Sequence, residues 1–133
     1  MGVQNATILK GASVSFTGGT SVLLKADSVP VKGGIHLVDT TVADYSTRPN
    51  MFLQATSPSY SPTDKSYTNA KKSFKAYFPK ALSDGQVKAP SIEIIIRDNP
   101  CQTAAEVQAM IDCGLQFLAD SDFAEFRTLG AIT

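Results

Sequence analysis

The chain has 133 residues, 43% of them hydrophobic, and its 12 basic and 12 acidic side chains leave a formal net charge of zero. That length suits a single domain, residues 1–133, able to bury roughly two thirds of its unfolded surface. No apolar run approaches the roughly 20 residues of a membrane span, and residues 1–10 lack the basic-then-apolar pattern of a secretory signal. Zero net charge argues against a protein that grips nucleic acid by bulk electrostatics.

The charge is unevenly placed. Residues 65–88 hold six lysines against Asp84, while residues 98–133 hold six acids against Arg127. A basic middle and an acidic tail follow. Scattered lysines usually mean only a solvated surface, so their arrangement on the chain matters more than their number.

In chain order, residues 6–10 and 13–16 around Gly11 read as a short N-terminal β-hairpin, followed by the turn at Gly18 and Gly19. Residues 21–25 and 34–41 are strand candidates separated by Pro30, Gly33 and Gly34. His36 on the second of these reads as a structural residue. After Arg48 and Pro49, residues 50–56 alternate Met51, Leu53 and Ala55 with Asn50, Phe52, Gln54 and Thr56. Residues 57–68 are rich in Ser, Pro, Thr and Tyr and read as a loop, in which Pro58 and Pro62 exclude a central strand.

Residues 69–80 form the most informative stretch. Asn69, Lys71, Ser73, Lys75 and Tyr77 alternate with Ala70, Lys72, Phe74, Ala76 and Phe78. Side chains alternate between faces on a strand, so one face is basic and hydrogen-bonding and the other mostly apolar. Residues 83–90 read as a loop with Gly85 as its flexible point. Residues 91–97 form another strand, with Ile92, Ile94 and Ile96 on one side and Ser91 and Glu93 on the other.

Two helices close the chain over residues 101–130. Pro100 and the capping box from Thr103 to Glu106 start the first. Its polar residues Gln108, Asp112, Gln116 and Asp120 recur every four positions as one thin wet stripe. Val107, Met110, Ile111, Leu115, Phe117 and Leu118 leave the rest apolar, more than one small sheet can cover, so a second copy is expected against them. The second helix starts near Ser121, presents Phe123, Phe126 and Leu129, and stops at Gly130. Phe123 and Phe126 join the expected dimer interface. Cys101 and Cys113 read as reduced, half-buried thiols, and with one histidine no metal site is expected. No cofactor is expected either.

The order of hairpin, strand meander, polar-faced strand ending at Phe78, Pro79 and Lys80, isoleucine-rich strand and two helices resembles the coat proteins of the small single-stranded RNA bacteriophages, the levivirus type. The likeness covers nearly the whole chain and is most specific over residues 69–118. It implies an α+β fold, with an antiparallel sheet over residues 21–97, in which two chains interlock and share one continuous sheet. It also implies an icosahedral shell assembled in the bacterial host cytoplasm, a packaged RNA genome, and an RNA hairpin bound as translational repressor. A phage maturation protein is a further implied partner.

Carried over residue by residue, Lys75 matches a contacting lysine, Ser73 a base-contacting hydroxyl and Asn69 an amide at the strand start. Lys71 and Tyr77 face the same way, as do Asn50, Gln54 and Thr56 on one neighbouring strand and Ser91 and Glu93 on the other. Lysines neutralise phosphates, while hydroxyls and amides read splayed bases. The chain departs from the family in lacking a stacking aromatic near Ala89 and Ser91, for which Tyr77 or Phe52 can substitute. It also lacks cysteine in the 83–90 loop, so no cross-link is expected there. A dimeric repressor that never assembles, and a shell subunit that binds RNA through charge alone, are competing readings. An enzyme has no nucleophile elbow, phosphate loop or acid pair to stand on.

Overall fold

The computed structural model describes residues 5–12, 16–26 and 31–130, which group into two units, residues 19–101 and residues 1–18 with 102–133. In the first unit, alternation of polar and apolar residues lets extended segments pair with one face wet and one dry. In chain order the strands are β1 (Leu24–Ala26), β2 (Gly34–Asp39), β3 (Asn50–Thr56), β4 (Tyr60–Ser61) and β5 (Ser66–Tyr67). They continue as β6 (Ala70–Tyr77), β7 (Lys80–Ala81), β8 (Val87–Lys88) and β9 (Ser91–Asp98). Strands β1, β2, β3, β6 and β9 form one antiparallel sheet in that order, and β4 with β5 and β7 with β8 are short hairpins.

The expected strand over residues 21–25 begins only at Leu24, because Leu24 pairs with Asp39 and β2 ends there. The Thr41 hydroxyl and amide both donate to the Asp39 carboxylate, at 2.6 and 2.9 Å, turning the chain away. These bonds, with Arg48 adding its charge, hold that carboxyl below its ordinary range. Gly34 is required where β2 meets β3, since a Cβ there would strike the Leu53 carbonyl oxygen.

The 57–68 loop contains the β4–β5 hairpin, closed by Lys65 at φ 53 and carrying Tyr60 and Tyr67 with ring centroids 5.2 Å apart. The 83–90 loop likewise encloses a tight turn, with Gly85 at φ 86 and the Leu82 amide donating to the Gln86 carbonyl at 2.7 Å. Neither hairpin shows in the sequence, because two-residue ladders leave no periodicity to see.

In the second unit α1 (Ala104–Ala119) starts as expected: the Glu106 amide donates to the Thr103 hydroxyl oxygen at 3.2 Å. A 3-10 turn, Ser121–Phe123, leads into α2 (Ala124–Leu129), which ends at Gly130 with φ 69. The Arg127 guanidinium donates to the Phe117 and Asp120 carbonyls at 2.7 and 2.8 Å, tying α2 to the end of α1. The ring of Phe117 lies 5.3 Å from that of Phe123 and 5.7 Å from that of Phe126.

One expectation about α1 is overturned. Gln116, placed on the wet stripe, is only 7% exposed. Its amide accepts from the Leu9 N–H and donates to the Leu9 carbonyl, both at 2.7 Å, imitating a strand partner. Asp122 adds a second clamp by accepting from the Thr7 amide and hydroxyl at 3.0 and 3.1 Å. Gln116 and Asp122 therefore hold the N-terminal segment, which turns back with the Ala12 amide 3.4 Å from the Leu9 carbonyl, while Gln108 and Asp112 of the stripe bond to each other at 2.9 Å. Most of the expected second arm, residues 13–15, lies outside the described residues. Elsewhere on α1, Met110, Phe117 and Leu118 are 37–38% exposed. Cys101 and Cys113 are free and exposed, a correction of the half-buried reading: one precedes α1 and the other lies within it.

Among the described residues Ala76 is the lone buried apolar side chain. It lies on the apolar face of the sheet between Met51 and Ile92. That face carries a hollow of about 400 Å³ lined by Leu53, Ala55, Phe74, Ile94 and Ile96.

Candidate nucleic-acid interface

Register decides which side chains share a face. β3 pairs with β6 so that Asn50 meets Tyr77, Phe52 meets Lys75, Gln54 meets Ser73 and Thr56 meets Lys71. β6 pairs with β9 so that Lys71 meets Arg97, Ser73 meets Ile95, Lys75 meets Glu93 and Tyr77 meets Ser91. Nine of the polar residues singled out in the sequence therefore lie on one face of three adjacent strands: Asn50, Gln54, Thr56, Lys71, Ser73, Lys75, Tyr77, Ser91 and Glu93. Asn69 stands apart. It precedes β6, and its side-chain oxygen accepts from the Asn99 amide at 2.9 Å.

The electrostatics of this face differ from the sequence pattern. Lys75 lies 3.7 Å from Glu93, with both side chains partly exposed, so some of its charge is already compensated. Lys71 instead lies directly across from Arg97, a like-charge pair of the kind that destabilises a ladder unless an anion joins it. Lys72 points to the other face and binds Asp98 at 3.2 Å.

An aromatic cluster crosses the same face. The His36 ring stacks on Phe52 with centroids 4.1 Å apart and 8° between planes, and Phe52 meets Tyr77 edge-on at 5.9 Å. His36 is 9% exposed, with Nε2 3.4 Å from the Asn50 side-chain oxygen, as the structural reading of this residue implies. Sequence reasoning passed over Arg97 and the partnership of His36 with Phe52. Arg97 was visible, since it keeps the alternation of Ser91 and Glu93. The His36 stack needed the register of β2 on β3, which no local pattern states.

The residues expected to bury against a second copy differ in their surroundings. Phe117, Phe123 and Phe126 pack on one another within the helical unit. Val107, Ile111 and Leu115 are half-buried, while Met110 and Leu118, and with them Phe117 and Phe126 of the packed set, remain exposed.

No family model matches the chain, and neither does any curated protein. Solved structures do. The chain is similar to the virus-like particle of bacteriophage GQ-907, with a TM-score of 0.89 and 28% identity over 97% of this chain and 98% of that one. It also shares the fold of the virus-like particle of Beihai levi-like virus 21, with a TM-score of 0.64 and 10% identity over 89% of this chain and 93% of that one. The five-stranded antiparallel sheet followed by two C-terminal helices is thus the levivirus coat fold. The chain has the architecture of a levivirus-type coat protein, and the structures it resembles are capsid shells. Among the described residues no helix is long and apolar enough to cross a membrane.

Proposed function

We propose that the chain forms interlocked homodimers that close into an icosahedral shell around single-stranded phage RNA. In this reading the polar face of β3, β6 and β9 lies toward the genome and holds an RNA hairpin that represses translation. The assembly forms in the host cytoplasm and takes up a maturation protein. The observation that carries the RNA reading is the single face shared by Lys71, Ser73, Lys75, Gln54, Thr56 and Arg97, with Tyr77 and Phe52 beside them. Cations there answer phosphates, hydroxyls and amides answer base edges, and exposed ring surface can stack an unpaired base for ~1–3 kcal/mol.

Dimerisation is supported by two uncovered apolar surfaces. Met110, Phe117 and Leu118 are exposed on α1, and Ile35, Leu53 and Ile92 are exposed on the sheet's apolar face at 36–43%. With Ala76 the one buried apolar side chain among the described residues, little apolar surface is covered within one chain, and a second copy supplies what each surface lacks.

The test is size-exclusion chromatography of the protein expressed alone in bacteria, read at 260 and 280 nm. The chain has no tryptophan, so packaged RNA dominates that ratio. A void-volume peak rich in RNA, with uniform round particles by electron microscopy, is expected. A dimer-sized, RNA-free peak that stays unassembled with added phage RNA would leave only a dimeric binder.

A further inference from the structure

The hairpin of β7 and β8 is the far end of the ribbon that β6 and β9 begin. Tyr77 meets Ser91, and the Phe78 amide donates to the Pro90 carbonyl at 2.8 Å. Lys80 then meets Lys88, and the Leu82 amide donates to the Gln86 carbonyl at 2.7 Å. Each step forward on one strand is matched by one step back on the other, from Ala70 and Asp98 out to the turn at Gly85. No residue is inserted, so the alternation of faces runs on unbroken. β3 reaches only as far as Tyr77, and beyond it the ribbon has no neighbouring strand among the described residues.

Hydrogen-bond phase fixes which face the tip presents. The bonds from Phe78 to Pro90 and from Leu82 to Gln86 both join even-numbered residues, and Lys80 and Lys88 lie between them. The two lysines therefore share the face of Ala76 and Ile92, the apolar one, and stand away from Lys71, Ser73 and Lys75. The covered surface stops there. Phe78 is 50% exposed, and Lys80, Lys88 and Pro90 are exposed with it.

Lysines directly opposite each other repel across the ladder, a cost that an anion between them removes. Among the described residues neither has an acid within ion-pair reach, unlike Lys72 and Lys75. Asp84, the nearest acid in sequence, accepts from the Gln86 amide at 3.0 Å and closes the turn. One pair back on the same face, roughly 7 Å away, Phe78 and Pro90 present an open ring surface.

We propose that this tip is a nucleotide site, in which a base stacks on Phe78 beside Pro90 and its phosphate sits between Lys80 and Lys88. Cations answer the phosphate charge, and every base offers a face to an aromatic ring. A purely apolar cover would bury two like charges, so the occupant carries an anion. The site lies on the opposite face of the ribbon from the candidate RNA interface and does not rest on that reading. A free nucleotide and a nucleotide unit of a single strand share this chemistry.

The test is photolabelling with 8-azido-ATP, with the label located by protease digestion and mass spectrometry. Label on the peptide carrying residues 78–90 is expected, and label confined to other segments overturns the site. This map needs no substitution, so it decides even where a variant fails to fold. Lys80→Gln with Lys88→Gln is expected to lower labelling about tenfold or more, and Phe78→Leu to lower it comparably. Lys65→Gln, which removes a charge from a different turn, is expected to leave it unchanged; an equal loss there would mean bulk charge and no site. Unlabelled ATP should compete better than inorganic tripolyphosphate, and equal competition removes the ring from the site. Competition by excess oligoadenylate assigns the site to a strand of RNA, and its absence to the free nucleotide, the site standing in both cases. Should the double lysine variant change the size of the assembly while labelling persists, the lysines serve a contact between copies and the proposal fails.

Discussion

Two lysines on β6 share a face and differ in what stands opposite them. Lys75 has Glu93 within 3.7 Å, whereas Lys71 has Arg97 across the ladder. A cation whose neighbour is another cation loses nothing when a phosphate arrives, while one already paired must exchange partners. Lys71→Ala is therefore expected to weaken RNA binding more than Lys75→Ala, and to lower the slope of log affinity against log salt by about 0.7, the value for one phosphate contact on a single strand. Filter binding across a salt series checks both variants, with far-ultraviolet circular dichroism to establish that each remains folded. Alternation alone was enough to read the polar face, because the side-chain period of a strand is exact and these residues keep it. The compensation of Lys75 was not readable, since it depends on which residue of β9 falls opposite, and that is set by tertiary pairing.

At the scale of elements, Gln116 joins helix to N-terminal segment. Replacing it with leucine keeps the volume and strands the Leu9 N–H and carbonyl, at about 1–3 kcal/mol for polar groups left without a partner. Gln116→Leu is expected to leave α1 and the sheet intact while the amides of residues 7–9 lose protection, as hydrogen exchange with mass-spectrometric readout would show. Its burial could not be read from sequence. A glutamine recurring every four residues with Gln108 and Asp112 looks the same whether it faces water or the backbone of a segment more than a hundred positions away. The capping box was readable because its partners, Thr103 and Glu106, are local. The hairpins at Tyr60 and at Lys80 were hidden for the opposite reason, being too short to show any period.

For the whole molecule, the balance of exposed and buried surface matters most. With Ala76 as the buried apolar side chain among the described residues, folding and association are one event in the proposed dimer. Met110→Asp places a charge on the open apolar side of α1 and is expected to yield unfolded or aggregated protein and no stable monomer, judged by size exclusion and circular dichroism. The expectation of a partner came from the excess of apolar residues on α1, and the exposure of Met110 and Leu118 is in keeping with it. Sequence reading reached the α+β class from element order, while the register between strands lay beyond it. The open edge of β9 also has a cost before any partner arrives. Residues 91–96 combine serine, four isoleucines and a single acid, the composition of a segment prone to stack into fibres. Stacking identical strands parallel and in register would set Glu93 against Glu93 and Arg97 against Arg97 in every layer. The two charges thus act as gatekeepers during synthesis, when many nascent chains share a small volume. They tax indefinite growth.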